Sequence, residues 1–285
     1  MSRCAAITSS APLVVSLGDW LDELLVIDVG AADYGDQRPM YEVLKRGPKT
    51  RVVGFEPQGP QRPGMSRSQI LPFAIGDGRE HQFRTCSAPM TSSLLEPNAE
   101  WLSRFENLAE LCTVVARGPM KTTRLDDIAG LDGCGLLKID VQGATMLVLS
   151  GAEKLLCETL VVHTEVEFGP IYRGAPKFGD VDAYLSERGF EFHHFVEFGR
   201  CRINAGQHAF GRHATRELWA DAVFVPSFAR LDTLGPSGLL KLACVAHDCY
   251  AAEDLAYACL ARYDAQTQAK LAAAYRHAFE AAPSE

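Results

Sequence analysis

Short apolar runs alternate with stretches of helical periodicity from about residue 24 to residue 225. The runs at 24–29, 51–55, 69–75, 135–141 and 159–166 are rich in Val, Ile and Leu and end in Gly, Asp or Glu. That is the pattern of parallel strands buried on both faces. Between them, residues 38–46, 144–156 and 180–188 carry apolar positions at helical spacing. Strand, helix, strand in repetition predicts a doubly wound α/β sheet with right-handed crossovers. Residues 190–198 and 218–225 predict a closing pair of strands. Residues 79–134 break the rhythm: 81–86 reads as a strand, 98–111 as an amphipathic helix with Trp101, Leu102, Phe105 and Leu108 on one face, and 119–128 as another extended piece. After Pro226 the chain turns Ala-rich and helical over 236–246, 253–262 and 266–282. The stripes Leu239, Leu242, Ala246 and Leu271, Tyr275, Phe279 predict packing either on the sheet or on a second copy, the latter making a homodimer.

Composition narrows the classes. The 285 residues hold 28 basic against 36 acidic side chains, a net charge of −8, and 47% hydrophobic residues. An acidic balance argues against a nucleic-acid binder, which needs a basic surface to displace counterions. No run approaches the roughly 18 apolar residues of a membrane helix. The nine cysteines are irregularly spaced without a C-x-x-C, so neither a disulfide framework nor a zinc site is expected. Arg3, the short apolar run 13–17 and Asp19 make a poor signal peptide, and the expected compartment is the cytoplasm.

Candidate chemistry clusters at the strand ends. Ile27-Asp28-Val29-Gly30-Ala31 runs from a strand into a glycine turn closed by Gly35, where a ligand can approach backbone. The spacing is G-x-x-x-x-G and lacks the third glycine of a dinucleotide fingerprint. Glu56 ends the next strand, 26 positions after Gly30, where an acid can accept from both hydroxyls of a ribose or simply face solvent. Ala74 and Ile75 can flank a purine, with Asp77 either near its exocyclic amine or forming a turn before Gly78. Lys138 and Asp140 lie two apart in an apolar strand, so they share a face and pair with each other or with a ligand.

Together these residues resemble the FkbM family of S-adenosylmethionine-dependent methyltransferases. The resemblance rests on Ile27 to Ala31, Gly54-Phe55-Glu56-Pro57, Thr123-Arg124-Leu125-Asp126-Asp127-Ile128 and Leu137-Lys138-Ile139-Asp140-Val141-Gln142-Gly143-Ala144. It continues through Leu149-Ser150-Gly151-Ala152 and Trp219-Ala220-Asp221-Ala222-Val223-Phe224-Val225, covering about 24–226. It implies a class I methyltransferase, Rossmann-like sheet of seven strands ordered 3-2-1-4-5-7-6 with strand 7 antiparallel. The expected division is a cofactor-binding domain over 1–226 and a helical extension over 227–285 packed on it. By resemblance, Gly30 and its neighbours hold the methionine part of the cofactor, Glu56 the ribose, and Asp140 lies beside the reacting centre. The family often has Glu where this chain has Gln142, and residues 58–69 are too short and too rich in Pro and Gly for the usual crossover helix.

On the acceptor side, His163, Glu165 and Glu167 share a strand face by the period of two. His163 and Glu165 are the candidate bases for a hydroxyl, unless these acids only cap the sheet edge. Asp140 with Glu165 gives two oxygen ligands to a divalent metal, too few to assert one. Residues 199–217 hold Arg200, Arg202, Arg212, Arg216, His208 and His213, and Tyr172, Arg173 and Lys177 follow the fifth strand. They suggest a positive mouth for an anionic acceptor such as an acidic sugar. The expected activity is methylation of a sugar or small-metabolite hydroxyl. The rivals are a cofactor-binding protein without turnover and an NAD-dependent oxidoreductase, the latter opposed by the missing glycine.

Overall fold

A computed structural model describes residues 7–32, 38–57, 68–206 and 213–280. Ten strands form two sheets. The large sheet holds β1 (Leu24–Val29), β2 (Thr50–Phe55), β3 (Ser68–Leu71), β7 (Cys134–Ile139), β8 (Val161–Glu167), β9 (Phe190–Cys201) and β10 (Arg216–Pro226) in the order β3-β2-β1-β7-β8-β10-β9. Counted among themselves, these strands run 3-2-1-4-5-7-6, and β10 is antiparallel to both neighbours. This is the class I methyltransferase sheet. The small sheet pairs β4 (Ala74–Ile75) and β5 (Glu80–Cys86) with β6 (Val114–Thr123) between them.

The run expected as one strand over 69–75 is therefore two. Pro72 has no amide to donate to a ladder, so β3 ends at Leu71 and the chain re-forms as β4 against Thr122 and Thr123. The helix expected over 98–111 is likewise two short turns, Ala99–Leu102 and Leu108–Leu111, separated by Asn107 in the left-handed region at φ 63°. The stretch 144–156 divides into Thr145–Ser150 and Glu153–Glu158. The second piece begins where the Asp126 carboxylate accepts the amides of Lys154 and Leu155 at 3.1 and 3.0 Å. Asp126, one of the motif acids, thus caps a helix.

Alternate residues of the buried strands feed two cores. Leu25, Ile27, Leu137, Ile139, Val162 and Phe224 pack with the helices at 145–158 and Phe178–Ser186. Val26, Val52, Leu136, Val161 and Val223 pack instead with Leu239, Leu242, Ala243 and Ala246 of the helix Pro236–Tyr250 and with residues of Glu253–Thr267 and Leu271–Glu280. Among the described residues the Ala-rich tail therefore supplies most of one helical layer, to which the upstream chain adds the 3₁₀ helix Met40–Arg46 and the turn Leu13–Ser16. Asp248 fastens that layer: its carboxylate accepts the amides of Leu13 and Val14 at 2.7 and 2.8 Å, 235 and 234 residues away in sequence. A third cluster joins Leu102, Phe105, Leu108, Tyr172 and Leu218, with Trp101 and Trp219 at its margin, over the carboxyl end of β8. Among the described residues no helix is long and apolar enough to cross a membrane.

Candidate active site

The strand order reverses between β1 and β7, and ligand crevices form outside the carboxyl ends at such a switch point. Gly30 turns the chain there at φ 84°. A Cβ on it would stand 1.9 Å from the carbonyl oxygen of Asp140, so only glycine fits. The amides of Gly30 and Ala31 both donate to the Phe55 carbonyl, at 3.0 and 3.1 Å, which ties the turn to the end of β2. Half-buried Glu56 follows Phe55 directly.

A row of polar side chains crosses the sheet on one face. Strand register sets Asp28 beside Lys138, Lys138 beside His163, Glu165 beside Asp221 and Glu167 beside Trp219. Lys138 Nζ lies 3.3 Å from Asp28 Oδ1 and 3.8 Å from Asp140 Oδ2. Burial would lower the Lys138 ammonium, but Asp28 and Asp140 outweigh it and raise its pKa, so the lysine is a fixed cation. The other oxygen of Asp28 accepts the Tyr41 hydroxyl at 2.5 Å. With a lysine and a tyrosine on its two oxygens, buried Asp28 is a strut beneath the turn.

Asp140 has 42% of its side chain exposed and is the member of the row most open to a ligand. Gln142 holds it: Nε2 donates to Asp140 Oδ1 at 2.9 Å, while Ser93 Oγ donates to the Gln142 carbonyl at 2.6 Å. Gln142 sits at φ 51°, a backbone conformation that a non-glycine residue adopts at a cost. Tyr172, expected at the acceptor, is buried; its hydroxyl donates to the Thr91 carbonyl at 2.9 Å and lies 3.3 Å from Gln142 Oε1. It is a pillar between the 79–134 insertion and the site.

The three β8 candidates differ. His163 is 2% exposed, with Nε2 3.4 Å from Asp221 Oδ2 and Nδ1 3.2 Å from the Tyr250 hydroxyl. With both nitrogens engaged and the ring closed to solvent, the structure sets His163 behind the row and not against an acceptor, unlike the expectation of a histidine base. Burial, then Asp140, Asp221 and Glu167, push the Glu165 carboxyl well above the usual range. Burial raises Glu167 to about 8; the Ile171 and Tyr172 amides lower it in part, yet neither reaches hydrogen-bond geometry and both oxygens lack a partner. Burial would also raise Asp221, but the hydrogen bond and charge of His163, with Lys138, bring it below its ordinary value. Across β8 and β10 the row thus sets one carboxyl held below its ordinary value beside two pushed above it.

Other expected residues stand apart. Asp77 is committed to its own turn: Oδ1 lies 2.7 Å from His81 Nε2 and accepts the Arg79 amide at 3.0 Å. Burial raises its pKa, and these partners bring it below the ordinary value. It is a turn former and not an adenine contact. Ala74 belongs to the small sheet. Two arginines of the expected positive mouth are paired, Arg200 with Glu217 at 2.8 Å and Arg202 with Glu106 at 3.4 Å. Arg173 is exposed. Gly35, Arg212 and His208 lie outside the described residues, as does most of the 58–69 connection. Among the described residues no group of three or more His, Cys, Asp or Glu is placed to hold a metal ion.

Asp221 and Tyr250 carry roles that the sequence did not disclose. Asp221 stood inside a motif of the resemblance, but its position opposite Glu165 comes from antiparallel pairing, and Tyr250 lies in a tail without chemical signals of its own.

A family model, the methyltransferase FkbM domain, matches residues 28–192. The chain belongs to this family. The FkbM domain spans β1 to the start of β9 and includes every residue of the polar row except Asp221 and Tyr250. The chain is similar to 2-O-methyltransferase NoeI of Sinorhizobium fredii (strain NBRC 101917 / NGR234), 28% identical over 178 residues, which are 56% of this chain and 70% of that protein. Among solved structures it is similar to magnesium protoporphyrin IX methyltransferase from Synechocystis PCC 6803 with bound SAM, at 14% identity and TM-score 0.31, covering 75% of this chain and 78% of that one. It is also similar to the 16S rRNA (adenine(1408)-N(1))-methyltransferase from Catenulisporales acidiphilia with cosubstrate SAM, at 15% identity and TM-score 0.34, covering 80% and 97%.

The residues present suit the cofactor of an FkbM methyltransferase. The Gly30 turn leaves backbone free of side chain at the switch point, and Glu56 ends the adjoining strand where a ribose is held in such sheets.

Proposed function

We propose that this FkbM protein transfers a methyl group from S-adenosylmethionine to a hydroxyl oxygen of a small-molecule or glycan acceptor. One observation carries the reading: Glu165 stands near the carboxyl end of β8 beside Asp221, where burial and its acidic neighbours push its carboxyl well above the usual range, and Glu167 two residues on is raised to about 8. The cofactor, when bound, supplies an electrophilic methyl group. Gly30 gives it room, and Glu56 accepts from ribose hydroxyls. Glu165 takes the proton of the acceptor hydroxyl. Asp221, kept ionised by His163 and Lys138, makes Glu165 a better base by repelling its negative form. Glu167, buried behind Glu165, carries its proton below about pH 8 and so adds no negative charge beside it. Lys138 stays a cation and orients Asp140.

The similarity to a 2-O-methyltransferase supports oxygen as the methylated atom. The acids of the row and the pairing of Arg200 and Arg202 favour a neutral polyhydroxy acceptor over an anionic one. Calorimetric titration with S-adenosylhomocysteine, with NAD as control, tests the cofactor: binding should weaken at least about tenfold in Glu56→Ala, in proportion to a lost charge-assisted contact. Glu165→Gln should keep that binding while turnover of labelled methyl donor with a neutral glycan panel falls about 10²–10⁴-fold. Absent binding of the thioether, or full turnover by Glu165→Gln, would overturn the reading.

A further inference from the structure

His163 is the buried crossing point of the polar row. Lys138 flanks it on β7, Asp221 faces it from β10, and Tyr250 meets it from the last turn of Pro236–Tyr250. The Tyr250 ring lies over the imidazole at 6.1 Å between centroids and 24° between planes, and half-buried His194 packs edge-on against the same tyrosine at 5.5 Å.

When the ring is neutral, two proton arrangements satisfy the contact between His163 Nδ1 and Tyr250. In the first, the tyrosine O–H donates to Nδ1, and the single proton of the neutral ring sits on Nε2, directed at the Asp221 carboxylate. In the second, Nδ1–H donates to the tyrosine oxygen, whose own proton turns to Met40 Sδ at 3.9 Å. The bare Nε2 then opposes a carboxylate oxygen at 3.4 Å, acceptor against acceptor. A thioether is also a far weaker acceptor than an imidazole nitrogen. The first arrangement pairs every donor with a good acceptor.

We infer that Tyr250 is a positioning residue of this site, reaching in from the C-terminal helical layer to hold His163 in the Nε2–H tautomer and so aim that N–H at Asp221. The tautomer follows from the three side chains alone. Only its consequence, a fixed anion beside Glu165, rests on the proposed methyl transfer.

Long-range ¹⁵N correlation spectra of the labelled full chain, at alkaline pH where a free imidazole of pKa about 6.5 is neutral, read the tautomer directly. His163 is assigned by its disappearance in His163→Gln. The wild type should show Nε2–H with Nδ1 as a hydrogen-bonded acceptor. Tyr250→Phe should keep the tautomer but move the Nδ1 resonance downfield as its donor is lost, and Asp221→Asn should populate Nδ1–H. An Nδ1–H tautomer in the wild type, or an Nδ1 resonance unmoved in Tyr250→Phe, would overturn the inference. Once His163 is assigned, with the other histidine signals unchanged in His163→Gln as the check that this variant folds, the wild-type spectrum decides the tautomer even if Tyr250→Phe and Asp221→Asn do not fold. Titration of the same samples with S-adenosylhomocysteine tests the cofactor reading separately.

Discussion

On one face of the large sheet, Leu25, Ile27 and Val29 of β1, Leu137 and Ile139 of β7 and Val162 and Val166 of β8 carry no ionisable group, and the one polar side chain among them, Thr164, meets the Thr145 hydroxyl at 3.4 Å. On the other face, Val26, Leu136 and Val161 are succeeded two residues later by Asp28, Lys138 and His163. The first face meets crossover helices along its whole length and is simply core. The second is core only where the C-terminal helices cover it, and becomes a site where that cover gives way to Tyr250 and Tyr41. A charge within a buried strand is costly unless paired. The second face meets that cost with Tyr41 on Asp28, Asp28 on Lys138 and Asp221 on His163. Placing all the ionisable groups of these strands on one face lets them be each other's partners.

The contrast can be broken most severely at the turn between the faces. Gly30→Ala sets a Cβ against the Asp140 carbonyl in a left-handed backbone, and should cost more than about 3 kcal/mol and abolish S-adenosylhomocysteine binding, read by denaturant midpoint and calorimetry. Next come matched truncations, one for each core. Leu137→Ala and Leu242→Ala remove fully buried side chains from opposite faces, and each should cost about 2–5 kcal/mol in urea unfolding. A loss below about 1 kcal/mol for Leu242→Ala alone would mean that the tail is an appendage and not half of the core.

The smallest effect separates the faces by pH. Glu167 is a carboxyl raised from 4.5 in the unfolded chain to about 8 when folded. Between those values the folded state binds the extra proton, so the stability it contributes is full below about 4.5 and is lost as pH rises to about 8. Glu167→Gln should gain about 1–3 kcal/mol relative to wild type between about pH 5 and pH 8.5. An unchanged difference across that range would show that Glu167 finds a partner in solution.

The sheet was legible because strands buried on both faces have to be apolar, and Asp28, Lys138 and Glu165 showed as charges where charges are costly. The edges of the pattern were harder to read. Pro72 and Asn107 broke a strand and a helix that periodicity ran through, because one residue's backbone preference outweighs a stripe of apolar neighbours. Asp77 lay close to the expected cofactor strand, yet His81, only four residues away, claimed it. His163 had the right chemistry for a base and the wrong surroundings. Its two partners are 58 and 87 residues distant, and no local signal announces either.

The source of the second helical layer also bears on how the chain is made. During synthesis from the N-terminus, Val26, Val52, Leu136 and Val161 are all produced before the helix that covers them, and Leu13 and Val14 wait more than two hundred residues for the Asp248 carboxylate. A nascent chain on the ribosome can close one side of its sheet while the other stays bare. Such long-range closure is slow, and leaves apolar surface open to aggregation until the last contacts form. This protein can finish folding only once the helix Pro236–Tyr250 has been made and has docked on the sheet.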